Sequence, residues 1–174
     1  MGWPMKVLLH DLSQEEIIKY GADKISEDMV VLTKMEREPN KCIGCFGCWV
    51  KNPGQCVLHD EYNRMGEYLG NCTEVIIVSK CIYGEFSPYV KKLIDRSISI
   101  CHPYFTTRAG KMHHKLRYDN QPKLTVYFYG YDLTNEEKNT AEGRVKGMRI
   151  NFGASENKIT FLDNKEQLGG IKQW

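Results

Sequence analysis

Four cysteines, Cys42, Cys45, Cys48 and Cys56, stand in the spacing C-x2-C-x2-C-x7-C. Thiolates this close in sequence can converge on one metal centre, with Gly44 and Gly47 letting the backbone turn between them and the thiol after Pro53-Gly54 completing a four-ligand shell. An iron–sulfur cluster needs four such ligands. A zinc ion held by thiolates uses the same residue types, and metal-free thiols packing a loop as small apolar groups are the third alternative. The chain has seven cysteines, an odd number, which suits metal or redox chemistry in a reducing compartment better than a disulfide framework. A cytoplasmic location is the corresponding expectation.

A second stretch invites a ligand by position. Val75-Ile76-Ile77-Val78 is a short β-branched run bounded by polar residues, the pattern of a buried parallel strand. Ser79 to Phe86 breaks that pattern and reads as a polar loop. Ser87-Pro88 then supplies a helix N-cap and first position. Val90, Leu93, Ile94, Ser97, Ile98 and Cys101 follow on one helical face, with Lys91, Lys92, Asp95 and Arg96 facing away. In an open α/β sheet the loop leaving the carboxyl end of a central strand lines the binding crevice. Ser79, Lys80, Cys81, Tyr83 and Gly84 are therefore candidate cofactor contacts.

The remaining elements must hold these two stretches. Met5 to Leu9 reads as a first strand, and Ser13-Gln14-Glu15-Glu16 as a capping box opening a short helix that Gly21 closes. Met29 to Leu32 is a second strand, followed by polar Lys34 to Lys41. Tyr62, Met65, Gly66 and Leu69 mark a short helix face before Cys72. His102 to Pro122 is a long connection, since structureless connections seldom exceed about 15 residues. It mixes aromatics with Arg108, Lys111, Lys115 and Arg117. Leu124 to Tyr129 is a further strand, and its loop, Gly130-Tyr131-Asp132, flanks the same crevice, so Gly130 and Tyr131 join the candidate cofactor contacts. Thr134 to Glu137 is a second capping box, and the helix it opens has Ala141, Val145, Met148 and Phe152 on one face and Gly153 at its end. Ile159 to Leu162 makes a fifth strand. Only Asp163 to Trp174 follow it, so a last helix is missing or vestigial.

Here the residues resemble a family. Ser79, Gly84, Ser87, Lys91, Leu93, Ile94, Asp95 and Arg96 match, in register, a segment of the flavodoxin-like NADPH-dependent FMN reductases. Lys80 stands where that family usually has proline and Ile82 where it usually has tyrosine. The resemblance extends upstream through the cysteines and, less specifically, down to about Asp163. It implies a three-layer flavodoxin-like sandwich with a five-stranded parallel sheet of order 2-1-3-4-5, FMN at the ends of strands 3 and 4, and NAD(P)H as reductant. Iron–sulfur flavoproteins, a branch of the same family, carry a similar cysteine motif binding a [4Fe-4S] cluster, which would make Cys42, Cys45, Cys48 and Cys56 its ligands. The family's FMN phosphate loop is not present in His10-Asp11-Leu12-Ser13. Asp11, Glu15 and Glu16 already occupy that helix N-terminus, where each acid is worth roughly 0.3 to 1 kcal/mol in the field a phosphate would use.

The 174 residues are expected to form one domain, with 42–56 as a cysteine-rich loop and 102–122 as an arm. A formal charge of +2 points to neither nucleic acid nor an anionic membrane. No apolar run reaches bilayer length, and Met1 to Lys6 has no signal-like apolar core. A thin cover on the side of the first and last helices calls for the arm or a second subunit there, so a homodimer is expected. Two functions follow: a redox flavoprotein of FMN reductase type, with the arm's cations replacing the phosphate loop, or a flavodoxin-like interaction protein without flavin. A cluster-only electron carrier is a third.

Overall fold

The β-branched run Val75-Ile76-Ile77-Val78 is the middle of the sheet, and its side chains are buried on both faces. The computed structural model describes residues 6–33, 38–172 and 174, so Met5 and the polar stretch at 34–37 lie outside the described residues. In chain order the elements are β1 (Lys6–His10), α1 (Gln14–Gly21), β2 (Met29–Leu32), α2 (Gly47–Val50), α3 (Met65–Asn71), β3 (Glu74–Ile82), β4 (Glu85–Phe86), α4 (Pro88–Arg96), a 3-10 turn (Ser97–Ile100), β5 (Cys101–Arg108), β6 (Lys111–Leu116), β7 (Lys123–Tyr129), α5 (Asn135–Phe152), β8 (Asn157–Leu162) and a second 3-10 turn (Lys165–Gly170). The parallel strands lie in the order β2-β1-β3-β7-β8, the expected 2-1-3-4-5.

Alternation along the strands divides the core. Val7, Leu9, Val75, Ile77, Val126 and Phe128 pack against α3, α4 and α5, while Leu8, Ile76, Val78 and Tyr127 face α1. Local chemistry sets the helix starts. Ser13 with Glu16 and Thr134 with Glu137 both form complete capping boxes, Ser87 accepts from the Val90 amide, and Gly153 ends α5 at φ +67°. Among the described residues no helix is long and apolar enough to cross a membrane.

Three expectations are corrected. The strand does not stop at Val78: β3 runs on to Ile82, turns at Tyr83-Gly84 with positive φ at both, and returns antiparallel as β4. Pairing of Ser79 and Lys80 with Phe128 and Tyr129 outweighs their polarity. The amphipathic helix ends at Arg96 rather than continuing through Cys101, which leaves Ile98 40% exposed. The connection after it is an antiparallel hairpin, β5-β6, turning at Ala109-Gly110.

That hairpin also lies on the other side from the one expected. Leu116 packs with the α3–α5 cluster, whereas the thin face under α1 is closed by Leu168 of the second 3-10 turn, Ile171 and Trp174. The segment after β8 thus contributes a six-residue 3-10 turn to that face. Close helix contact elsewhere demands a small residue. A Cβ on Gly66 of α3 would sit 2.5 Å from the Ile100 amide nitrogen and 2.7 Å from the Ser99 carbonyl carbon. Gly66→Ala is expected to destabilise the protein by about 1–3 kcal/mol through overpacking, read as a lower urea midpoint.

Candidate functional site

The carboxyl ends of β3 and β7 come together as the sequence suggests. Lys80 lies in register with Tyr129, and a Cβ on Gly130 would stand 3.6 Å from the Cys81 carbonyl oxygen. Not every candidate side chain faces the crevice. Ser79 is buried, its hydroxyl donating to the Lys80 carbonyl at 3.0 Å and accepting the Ser87 amide at 2.9 Å. Cys81 is buried too, and burial pushes its thiol pKa up. Tyr83 and Tyr131 are different: they are 86% and 76% exposed, one on each loop of the rim. Gly84, at φ +78°, presses against α5, where a Cβ would lie 2.8 Å from the Glu137 carbonyl oxygen.

The first turn shows what occupies the phosphate end of this crevice. The Asp11 carboxylate accepts the Lys80 amide at 2.9 Å and the Tyr129 hydroxyl at 3.0 Å. Burial raises the pKa of Asp11, against the opposing pull of those hydrogen bonds. His10 beside it is buried and its pKa is lowered to about 4 by burial, so it is neutral near pH 7. Three amides at the start of α1 are in use: that of Ser13 donates to Glu16 at 2.9 Å, that of Glu16 to the Ser13 hydroxyl at 3.2 Å, and that of Asp11 to the Val78 carbonyl at 3.3 Å. Lys165 pairs with Glu16 and, through that hydrogen bond first, holds it ionised. A flavin ring has open aromatic edges to meet here. An FMN phosphate fits poorly, because the turn sets the Asp11 and Glu16 carboxylates in its way and the Asp11, Ser13 and Glu16 amides are already in use.

The arm's cations do not repair this. Arg117 Nε donates to the Ser99 carbonyl at 3.1 Å, and Arg108, in register with Lys111 near the hairpin tip, lies against Gly153 at the end of α5. These positions are at the Arg96 end of α4, whereas the crevice is at its Ser87 end. Nine residues of helix separate the two, about 13 Å at 1.5 Å per residue.

Cys42, Cys45, Cys48 and Cys56 do come together, at that far end. All four line one cavity of about 570 Å³, with the end of α4, Cys101, Arg108, His114 and the end of α5 completing its walls. Among the described residues, however, no three His, Cys, Asp or Glu side chains are placed to hold a metal ion. The thiols share a space without forming a ligand shell. Arg96 anchors their loop: its fully buried guanidinium donates twice to Asp60, at 2.8 Å each, and to the Asn40 carbonyl at 3.0 Å. Phe46, Trp49, His114 and Phe105 form a ladder of ring contacts, 4.8 to 5.3 Å between centroids, that ties the loop to the hairpin. Sequence reasoning placed neither Arg108 nor His114 beside the cysteines and did not pair Asp60 with Arg96, since these contacts span dozens of residues.

No family model and no curated protein sequence matches the chain. Solved structures do. An FMN-dependent NADH-azoreductase from Bacillus anthracis str. Ames Ancestor, in complex with FMN, is similar with a TM-score of 0.55 at 10% identity, over 98% of this chain and 93% of its own. An NAD(P)H:quinone oxidoreductase from Methanothermobacter marburgensis gives 0.53 at 13% identity, covering 90% of this chain and 85% of its own. The azoreductase AzrA gives 0.55 at 14%, over 95% and 93%. The fold defined by the sheet order and by this likeness is flavodoxin-like.

Proposed function

We propose that the chain is a redox protein of the FMN reductase type that takes a flavin by its ring at the carboxyl-end crevice, with NAD(P)H as the electron source. The observation that carries this is the pair of exposed tyrosines, Tyr83 and Tyr131, set on the two loops at the carboxyl end of the sheet, the region where open α/β sheets generally take ligands. Neither is used in the core, and Tyr83 is held at φ +52°. A bound flavin supplies hydride and electron transfer. The chain's own part is to stack on the ring, to offer its strand-end backbone to the ring's polar edge, and to place Asp11 and Glu16 away from it. The solved relatives in fold are named for FMN, NADH and quinone chemistry, which supports a flavin redox reading. No iron–sulfur step enters it. A homodimer is part of the proposal, formed through the exposed Tyr104, Phe105 and Met112 of the hairpin.

A second reading is favoured by Asp11: a carboxylate in the phosphate position fits a flavodoxin-like interaction protein that binds no flavin. Titrating riboflavin, FMN and NADPH separates the two. Riboflavin is expected to bind, and Tyr83→Ala and Tyr131→Ala each to weaken it about 2- to 12-fold, the equivalent of 0.5–1.5 kcal/mol of ring stacking. Failure of the wild-type protein to quench either flavin, together with no NADPH oxidation in their presence, would leave the flavin-free reading standing.

A further inference from the structure

The cavity among the cysteines holds an electrostatic imbalance that the crevice does not explain. Its volume, about 570 Å³, is that of a small-molecule site, and its walls are mostly apolar, with Ile43, Phe46, Leu58, Ile94, Ile100 and Phe152 among them. Two guanidinium groups line it. The charge of Arg96 is matched by Asp60. That of Arg108 is not: among the described residues no carboxylate pairs with it, its Nη2 donates only to the His114 carbonyl at 2.9 Å, and its Nε and Nη1 are buried without a partner. His114 Nδ1 is likewise buried and unpartnered.

Other groups in the wall do not supply the missing charge. The carboxylate that lines the cavity, Asp95, is exposed and paired with Lys91. Burial keeps the Cys101 thiol protonated in spite of the nearby Arg108 and Arg117. A largely desolvated cation with idle donors is costly unless an anion meets it. One cation with few donors suits a singly charged group better than a phosphate dianion, and the apolar walls require the rest of the ligand to be apolar.

We propose that this cavity is a binding site for a small carboxylate with an apolar body, its carboxylate meeting Arg108 and its hydrocarbon portion lying between the cysteine loop and Phe152. The site is separate from the crevice and stands whether or not flavin binds there.

The test uses full-length protein purified under reducing conditions and assayed for iron and sulfide. It is titrated calorimetrically with 4-phenylbutanoate and with its neutral amide, and the pair is repeated on Arg108→Met and Arg108→Lys. The expected result is a preference for the acid of tenfold or more in the wild type, kept within a few-fold in Arg108→Lys and lost in Arg108→Met. Saturating acid should also slow alkylation of Cys45, an exposed thiol of the same wall. Equal binding of acid and amide, binding of neither at millimolar concentration, no protection of Cys45, or iron and sulfide filling the cavity would each overturn the proposal. Should Arg108→Met fail to fold, the wild-type pair and Arg108→Lys still decide.

Discussion

Asp60→Asn is expected to destabilise the protein by about 3–5 kcal/mol, the usual cost of stripping one partner from a buried ion pair. The Arg96 side chain is 0% exposed and that of Asp60 6%, so water cannot replace the lost charge. Both Asp60 oxygens are engaged by Arg96, and Oδ2 also accepts from Asn40. Burial alone would raise the pKa of Asp60, but the hydrogen bonds from Arg96 and Asn40 bring it below the ordinary carboxylate value. A lowered pKa gives stability that is present above the unfolded value, 3.8, and is lost as pH falls through the folded one. Urea melts should show the wild type losing its advantage over Asp60→Asn at the acid end. An unchanged midpoint at neutral pH would mean that the pair only holds the loop in place. Because the pair fixes the cysteine loop to α4, thiol alkylation should also speed up in the variant.

Asp11→Asn is the second large change, and it acts on ligand choice. Asparagine keeps the geometry: its oxygen accepts the Lys80 amide and its NH2 donates to the Tyr129 oxygen, reversing one hydrogen bond. It removes a charge from the place where an FMN phosphate would come. Two like charges about 5 Å apart at an effective dielectric of 20 repel by about 3 kcal/mol. Halving that for the open side of the site leaves roughly 1.5 kcal/mol, or about tenfold. FMN affinity should therefore rise about tenfold in Asp11→Asn while riboflavin affinity stays put. Equal gains for both flavins would place the effect on the ring and not on the phosphate. The same variant changes the pH profile of stability. Burial raises the folded pKa of Asp11 above 3.8, so its contribution is full below that value and is lost as pH rises through the folded pKa. Asp11→Asn should flatten that decline.

The frame was legible because its signals are local. Ser13 and Glu16, Thr134 and Glu137, and Ser87-Pro88 are caps written within four residues, and the run Val75 to Val78 gives the central strand by composition. Where local preference competed with pairing, pairing won. Ser79 and Lys80 look like loop residues, yet β7 offers them ladder partners. The hairpin after Cys101 was hidden for a similar reason: Lys111-Met112-His113-His114 has no clean alternation, and what fixes it is β5 alongside and the stacking of His114 on Trp49 and Phe105. The candidate crevice was readable as a place and not as a chemistry. Nothing near Asp11 in sequence announces that it will bind Lys80 and Tyr129, 69 and 118 residues away. The spacing of the four cysteines left iron–sulfur, zinc and metal-free thiols open, and spacing alone does not aim side chains.

Gly84 has one more consequence. Its fit against Glu137 and Thr140 presses the turn that carries Tyr83 against the first turns of α5. One loop of the crevice rim is therefore fixed by packing alone. Under the proposed flavin reading, the ordering cost of binding would then fall on the ligand and on the loop of Tyr131, and not on the turn of Tyr83.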